Sequence, residues 1–274
     1  MSAPLLKNFK MPPCEVIAGN SPVILAGPHN GYAIPPSLHD ENDRPLGLHT
    51  SCFDPLSPFK RHEACDWGMI ELFGALQDIQ KETHQQYHYI SGNYSRLICD
   101  LSRAAEDSMT PHSSENESPI PLNVDLTEDA IKQRTETFYD PFHDTLKETI
   151  QNVRTQFGRV IFIDLHSFTP IWNGQPRDVK IGTLSYRENA IEKHFLSFLP
   201  MACAAFQFNF GRDEPYNLKE LPPDRNKITQ QIRSYGADYF GLEFRNDILS
   251  TSKGVANVAR IVHDALQGFL ELEL

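Results

Sequence analysis

Val160-Ile161-Phe162-Ile163-Asp164-Leu165, running into His166-Ser167, is the stretch on which the fold turns. It is a continuous apolar run broken by one acid, with no alternation of polar and apolar positions. Such a run reads as a strand buried on both faces, the kind found inside a mixed or parallel sheet with helices above and below. A buried acid is costly unless it has a partner. Asp164 and His166 stand two apart, so they share a face if the strand persists to His166. An acid there can hydrogen-bond the distal ring nitrogen of a ligand histidine and fix its tautomer. The alternative is an aspartate satisfied by backbone amides.

Working outward, Val23–Ala26 reads as a second buried strand running into Gly27-Pro28-His29-Asn30-Gly31. Strands are also expected at His88–Ile90 and Leu97–Leu101 around a turn at Gly92-Asn93, near Ile181–Ser185, and at Tyr239–Phe244. From Asp66 to about Gln80 the residues Trp67, Ile70, Leu72, Phe73, Leu76 and Ile79 recur at helical spacing. Further helices are predicted from Thr127 to about Tyr139, Pro141 to about Phe157, Asn189 to Ala205 and Val255 to Leu272. Strands alternating with helices predict an α/β three-layer sandwich with a mixed, largely parallel sheet. The spacing of apolar segments shows no break, so residues 1–274 read as a single domain. Residues 104–125, rich in Ser, Pro, Glu and Asn, read as a surface excursion, either a lid or a solvated loop.

The formal net charge is -11, from 36 acids against 25 bases, with no basic cluster, which argues against a nucleic-acid partner. No apolar stretch is long enough to span a bilayer, and no cationic segment precedes an apolar one at the N-terminus, so a cytoplasmic, non-membrane protein is expected. Cys14, Cys52, Cys65, Cys99 and Cys203 are odd in number, widely spaced and without a C-x-x-C pair, and read as reduced, mostly packed thiols.

Ligand sites in open α/β sheets lie beyond the carboxyl ends of strands, where His29, His166 and Glu243 all fall. Two histidines and one carboxylate make a catalytic zinc shell that leaves a position for water. The carboxylate is to be sought in His62-Glu63-Ala64-Cys65-Asp66-Trp67-Gly68, where Asp66 and Glu63 are both candidates. Asp66 has a competing use as a helix cap, and His62 is a supporting partner or an alternative ligand. Glu243 inside an apolar strand calls either for a salt bridge to Arg245 or for a role as general base. Arg96 and Arg103 flank the stretch Leu97–Leu101 and suit an anionic substrate or, alternatively, surface salt bridges. Tyr139 and His143 suit the pocket wall or packing on a helix face.

Taken in order, Gly27 to Gly31, His62 to Gly68, Ser95-Arg96-Leu97 with Asp100 to Arg103, Phe138 to His143, Asp164 to Pro170 and Gly241 to Asp247 resemble the N-formylglutamate amidohydrolase family, from about Val23 to Leu249. The resemblance implies a zinc carboxypeptidase-like fold and a Zn2+ ion, or another divalent metal, held by His29, an acid near Asp66, and His166. It implies Glu243 as general base, Arg96 as stabiliser of the developing oxyanion and Arg103 as receiver of the substrate carboxylate. The implied reaction is hydrolysis of a small N-acyl amino acid, N-formylglutamate to glutamate and formate, within amino-acid metabolism such as histidine degradation. Ser102 stands where the family often has Asn, and its shorter side chain leaves the acyl amino acid open. Two rivals are a zinc carboxypeptidase-type peptidase, which needs an open groove that residues 104–125 would cover or leave free, and a non-catalytic α/β binding protein.

Overall fold

The apolar runs become the middle of a seven-stranded sheet in this computed structural model, whose description covers residues 11–39, 63–110, 120–185, 189–220 and 227–273. The first half of the chain supplies β1 (Cys14–Ile17), β2 (Val23–Gly27), α1 (Met69–Gln80), β3 (His88–Gly92), α2 (Glu128–Arg134) and α3 (Asp140–Phe157). The second half supplies β4 (Ile161–Phe168), the hairpin strands β5 (Ile171–Trp172) and β6 (Gln175–Pro176), β7 (Ile181–Leu184) and α4 (Ala190–Ala205). It continues through β8 (Phe210–Gly211), α5 (Lys227–Ser234), β9 (Asp238–Arg245) and α6 (Ser252–Glu273).

The sheet order is β1-β3-β2-β4-β9-β7-β8, with β5 and β6 paired apart from it. Its centre is parallel: β2 lies along β3 and β4, and β4 along β9 from Ile161↔Asp238 to Phe168↔Arg245. The antiparallel pairs are β1 with β3 and β7 with β9. Every residue of β2 and of β4 is buried, as expected for strands covered on both faces.

Alternation divides the apolar side chains between two layers. Val23, Leu25, Ile161, Ile163, Phe240 and Leu242 face α1, α4 and α6, meeting Leu72, Phe195 and Val258 among others. Ile24, Ala26, Phe162 and Tyr239 face α3 and α5, meeting Phe142, Leu146 and Ile232. The result is the expected three-layer α/β sandwich. Because β2 has β3 on one side and β4 on the other, a crevice opens at the carboxyl ends of β2 and β4.

Several expectations are corrected. Leu97–Leu101 is not a strand; it runs through turns, and its carbonyls are taken by side chains, Leu97 by Asn123 Nδ2 (3.0 Å) and Ile98 by Arg134 Nη1 (3.3 Å). Helix α1 starts at Met69 rather than Asp66, with Gly68 at its N-cap position in the left-handed region at φ 86°. The two helices expected at 127–139 and 141–157 form one rod, joined by a π-helical turn at Thr135–Tyr139. Thr127 caps its start by accepting from the Ala130 amide at 3.2 Å. The short strands β1, β5, β6 and β8 and helix α5 were not anticipated. Of the excursion at 104–125, residues 111–119 lie outside the described residues, as do His62 and Cys52. Cys14, Cys65, Cys99 and Cys203 carry no disulfide. Among the described residues, no helix is long and apolar enough to cross a membrane.

Candidate metal and catalytic site

Strand β2 delivers His29 to the crevice two residues past its end, through a turn at Gly27 where a Cβ would lie 2.2 Å from the Asn30 side chain. His29 is buried, and its Nε2 donates to Asp100 Oδ1 at 2.7 Å. Asp100 is itself fixed by the Ser102 amide (3.0 Å) and by Arg103 Nε (3.1 Å). Strand β4 persists to Phe168, so Asp164 and His166 do share a face, and His166 Nε2 lies 3.2 Å from Asp164 Oδ1. The other oxygen of Asp164 accepts from the Tyr239 hydroxyl at 3.1 Å. Tyr239 reaches it past Gly241, where a Cβ would stand 3.0 Å from that hydroxyl.

Asp66 completes the group. Its Oδ2 lies 2.9 Å from His166 Nδ1 and 3.8 Å from His29 Nδ1, and accepts from the Ser167 amide at 3.2 Å. Its Oδ1 accepts from Arg96 Nη1 at 2.7 Å. The carboxylate therefore points into the sheet crevice instead of capping α1. Each histidine has a carboxylate at Nε2 and turns Nδ1 toward Asp66, an orientation that suits a shared cation. One ligand atom from each of His29, Asp66 and His166 lies within 4.8 Å of the others, and two imidazoles with a carboxylate form a donor set that can hold a divalent metal. Glu63 is not in this group, and His62 lies outside the described residues.

The charges agree with that reading. Burial disfavours the imidazolium of His166, but the Asp164 and Asp66 carboxylates outweigh it and hold its pKa well above the usual value. Burial likewise opposes charge on His29, and Asp100 overrides it, so that pKa is raised too. Burial opposes charge on Asp66, but the hydrogen bond with His166 and the charges of His29 and Arg96 outweigh it and pull the carboxyl well below the carboxylate range. This concentration of acids is a place where positive charge is stabilised.

Glu243 stands opposite His166 in the β4–β9 register and is buried, and its Oε2 has no hydrogen-bond partner. Burial, then the nearby Asp66 and Asp164 charges, push its carboxyl up to about 8 against the opposing pull of His166. The alternative salt bridge is not formed. Arg245 pairs with both oxygens of Asp247 (2.7 and 3.0 Å) and donates to the Arg177 carbonyl.

These groups open onto a cavity of about 730 Å³, lined also by Arg96, Ser102, Arg103, Arg177 and Tyr216. Tyr139 and His143 are not among its lining residues, so of the two uses left open for them, pocket wall or packing on a helix face, their positions favour packing. Both are buried, their rings 4.1 Å apart, and the Tyr139 hydroxyl donates to the backbone carbonyl of Arg103 at 3.0 Å, so the tyrosine braces the arginine's backbone. The residues that sequence reasoning gave no role are Asp100, Tyr239, Arg177, Trp172 and Tyr216. Asp100 had a signal in its spacing from Arg103; Arg177, in Gln175-Pro176-Arg177-Asp178, had none.

Residues 21–250 match the family described as N-formylglutamate amidohydrolase. An N-formylglutamate deformylase of Pseudomonas putida is 22% identical over 181 residues, 61% of this chain and 61% of that protein, so the match spans about three fifths of the relative's length. Among solved structures, a gene product of Agrobacterium tumefaciens is 26% identical with a TM-score of 0.77, over 95% of this chain and 96% of that one. An N-formylglutamate amidohydrolase from Ralstonia eutropha, 14% identical, shares the fold with a TM-score of 0.65 over 94% of this chain and 100% of that one. With the family matched across all the strands and loops that build the crevice, the chain belongs to the N-formylglutamate amidohydrolase family.

Proposed function

We propose that the chain hydrolyses the amide bond of a small N-acyl amino acid, N-formylglutamate to glutamate and formate, with a zinc ion held by His29, Asp66 and His166. The observation that carries this reading is Glu243, a buried carboxylate with an unpartnered oxygen beside a group of metal donors in a cavity. Bound there, the ion supplies Lewis acidity that polarises the acyl carbonyl and makes water more acidic. Asp100 and Asp164, each beside an Nε2, would hold the two imidazoles with Nδ1 on the Asp66 side, where the ion would be bound. Glu243 takes the proton of the attacking water and returns it to the departing amine. Burial suits it to that work by bringing its pKa near neutrality. Arg96 anchors Asp66 and offers donors to the developing oxyanion, whose loss commonly costs ~3 kcal/mol. Arg103, fixed through Nε by Asp100, offers its remaining donors to a substrate carboxylate beside Ser102.

The test is metal content and turnover together. Wild type should carry about one zinc per chain after dialysis against a weak chelator, and His29→Ala, His166→Ala and Asp66→Ala should lose it while Glu63→Ala keeps it. Unchanged zinc in both histidine variants refutes the shell. Across N-formyl, N-acetyl and longer N-acyl amino acids, the N-formylglutamate rate should lead, and Glu243→Gln should keep metal and fold yet lose turnover by a factor on the order of 100 or more. Zinc binding with no hydrolysis in that screen points instead to a binding protein.

A further inference from the structure

Three arginines reach the cavity, and they are not alike. Arg96 is paired with Asp66 and Arg103 with Asp100, so each answers an acid of the site itself. Arg177 makes no ion pair among the described residues, although Asp178 and Glu214 line the same cavity. Its two hydrogen bonds both leave from Nη1, to the Thr169 carbonyl (3.4 Å) and the Tyr216 hydroxyl (3.3 Å). The Nε and Nη2 edge, which matches a carboxylate in bidentate fashion, therefore carries no partner among the described residues.

The guanidinium is also held in place. Its carbon lies 4.6 Å from the ring centroid of Trp172, 5.2 Å from Tyr216 and 5.5 Å from Phe168. Aromatic faces stack on the plane of the group and leave its edge for hydrogen bonding. The Arg177 carbonyl is tied by Arg245, so the backbone does not have to be ordered when a ligand arrives. Position agrees as well: Phe168 stands two residues beyond His166, and the Tyr216 hydroxyl feels the charges of Glu243, Arg177 and Arg96. A prearranged, uncompensated cation thus shares a cavity with Glu243 and with Arg103.

We infer that Arg177 receives a second anionic group of the substrate, the side-chain carboxylate, and so sets a preference for acyl amino acids with an acidic side chain over their neutral isosteres. This rests on the reading of the chain as an N-acyl amino acid hydrolase. Arg103 takes one carboxylate and Arg177 the other, and a ligand with a single anion leaves one of the two guanidinium edges unmatched.

The experiment compares kcat/KM for N-formylglutamate and N-formylglutamine in wild type, Arg177→Gln and Arg177→Lys, with binding of glutarate and of its monoamide measured in parallel by calorimetry. Wild type should favour the acid in both measurements by about tenfold or more. Arg177→Gln should erase that preference by losing the acid, mainly through KM, while N-formylglutamine turns over within about threefold of wild type. Arg177→Lys, which keeps the charge and the aromatic contact, controls for folding and should recover only part of the preference. Equal losses on both substrates, or a wild type that does not prefer the acid, overturn the inference. If wild type hydrolyses neither substrate, the proposed function fails, and the calorimetry still decides: a glutarate preference that Arg177→Gln abolishes upholds the anion site, and no preference removes it.

Discussion

At the scale of the residue, the protonation of Glu243 can be followed through the pH dependence of stability. A carboxyl raised from 4.5 to about 8 is bound to its proton more tightly in the folded chain than in the unfolded one. Its contribution to stability is therefore fully present below pH 4.5 and is lost as pH rises through about 8. Glutamine at that position cannot ionise, so the loss disappears. In chelator-treated protein, Glu243→Gln should match wild type near pH 4 and exceed it near pH 9 by an amount on the order of 2 kcal/mol or more. Urea titrations at the two pH values measure it. A difference that appears only on the acidic side would mean that the glutamate is held charged by a partner, contrary to its unpartnered oxygen.

At the scale of the element, the β7–β9 contact shows how a strand's smallest residue governs its polar neighbours. A Cβ at Gly241 would come within 2.7 Å of Leu184 Cβ and 3.0 Å of the Tyr239 hydroxyl, so the strand pair must spread or the tyrosine must leave Asp164. Gly241→Ala should cost about 1–3 kcal/mol of stability. On the proposed zinc site it should also weaken metal retention, since Asp164 lies 3.2 Å from His166 Nε2 and the tyrosine holds its other oxygen. Denaturation and elemental analysis of one preparation test both, and wild-type values in each would show that the two strands pack with room to spare. Elements of this kind differ in how far they can be read from sequence. Strand β4 was legible because burial on both faces leaves the run Val160–Leu165 apolar but for one acid. The start of α2 was legible because Thr127 is a local cap. Leu97–Leu101 misled because an apolar run carries no record of where its carbonyls find donors, and Asn123 and Arg134 come from far along the chain. The hairpin of β5 and β6, two residues a strand, is too short to carry a period. The proposed metal-ligating histidines His29 and His166 were visible at strand ends, and Asp66 was one of two acids read near a helix start, whereas Arg177 takes its meaning from Phe168, Trp172 and Tyr216, which only the fold brings to it. Tyr139 and His143 share a helix face by spacing, but which way that face turns is set by packing.

At the scale of the molecule, the donors His29, Asp66 and His166 come from segments far apart in sequence, so an ion that binds all three binds only the folded chain. Zinc should then raise the melting temperature of chelator-treated protein, and at a thousandfold excess over Kd the stabilisation is about 4 kcal/mol. His29→Ala should abolish most of that response; a shift that survives in this variant would place the ion elsewhere. The sheet order has a different kind of consequence, for how the chain comes off the ribosome. Strand β9 is the latest in sequence of the described strands, yet it is inserted between β4 and β7. Until Arg245 has been synthesised and released, β4 and β7 each present an open edge, and β4 is a strand that the finished fold buries on both faces. A nascent chain is thus exposed to mispairing between the completion of β4 at Phe168 and the arrival of β9 at Asp238–Arg245, the interval in which shielding of those edges by chaperones matters most. Because Glu243 rides on β9, a chain that has not yet reached that strand lacks the carboxylate proposed as general base, and the sheet closes in the same event that brings it opposite His166.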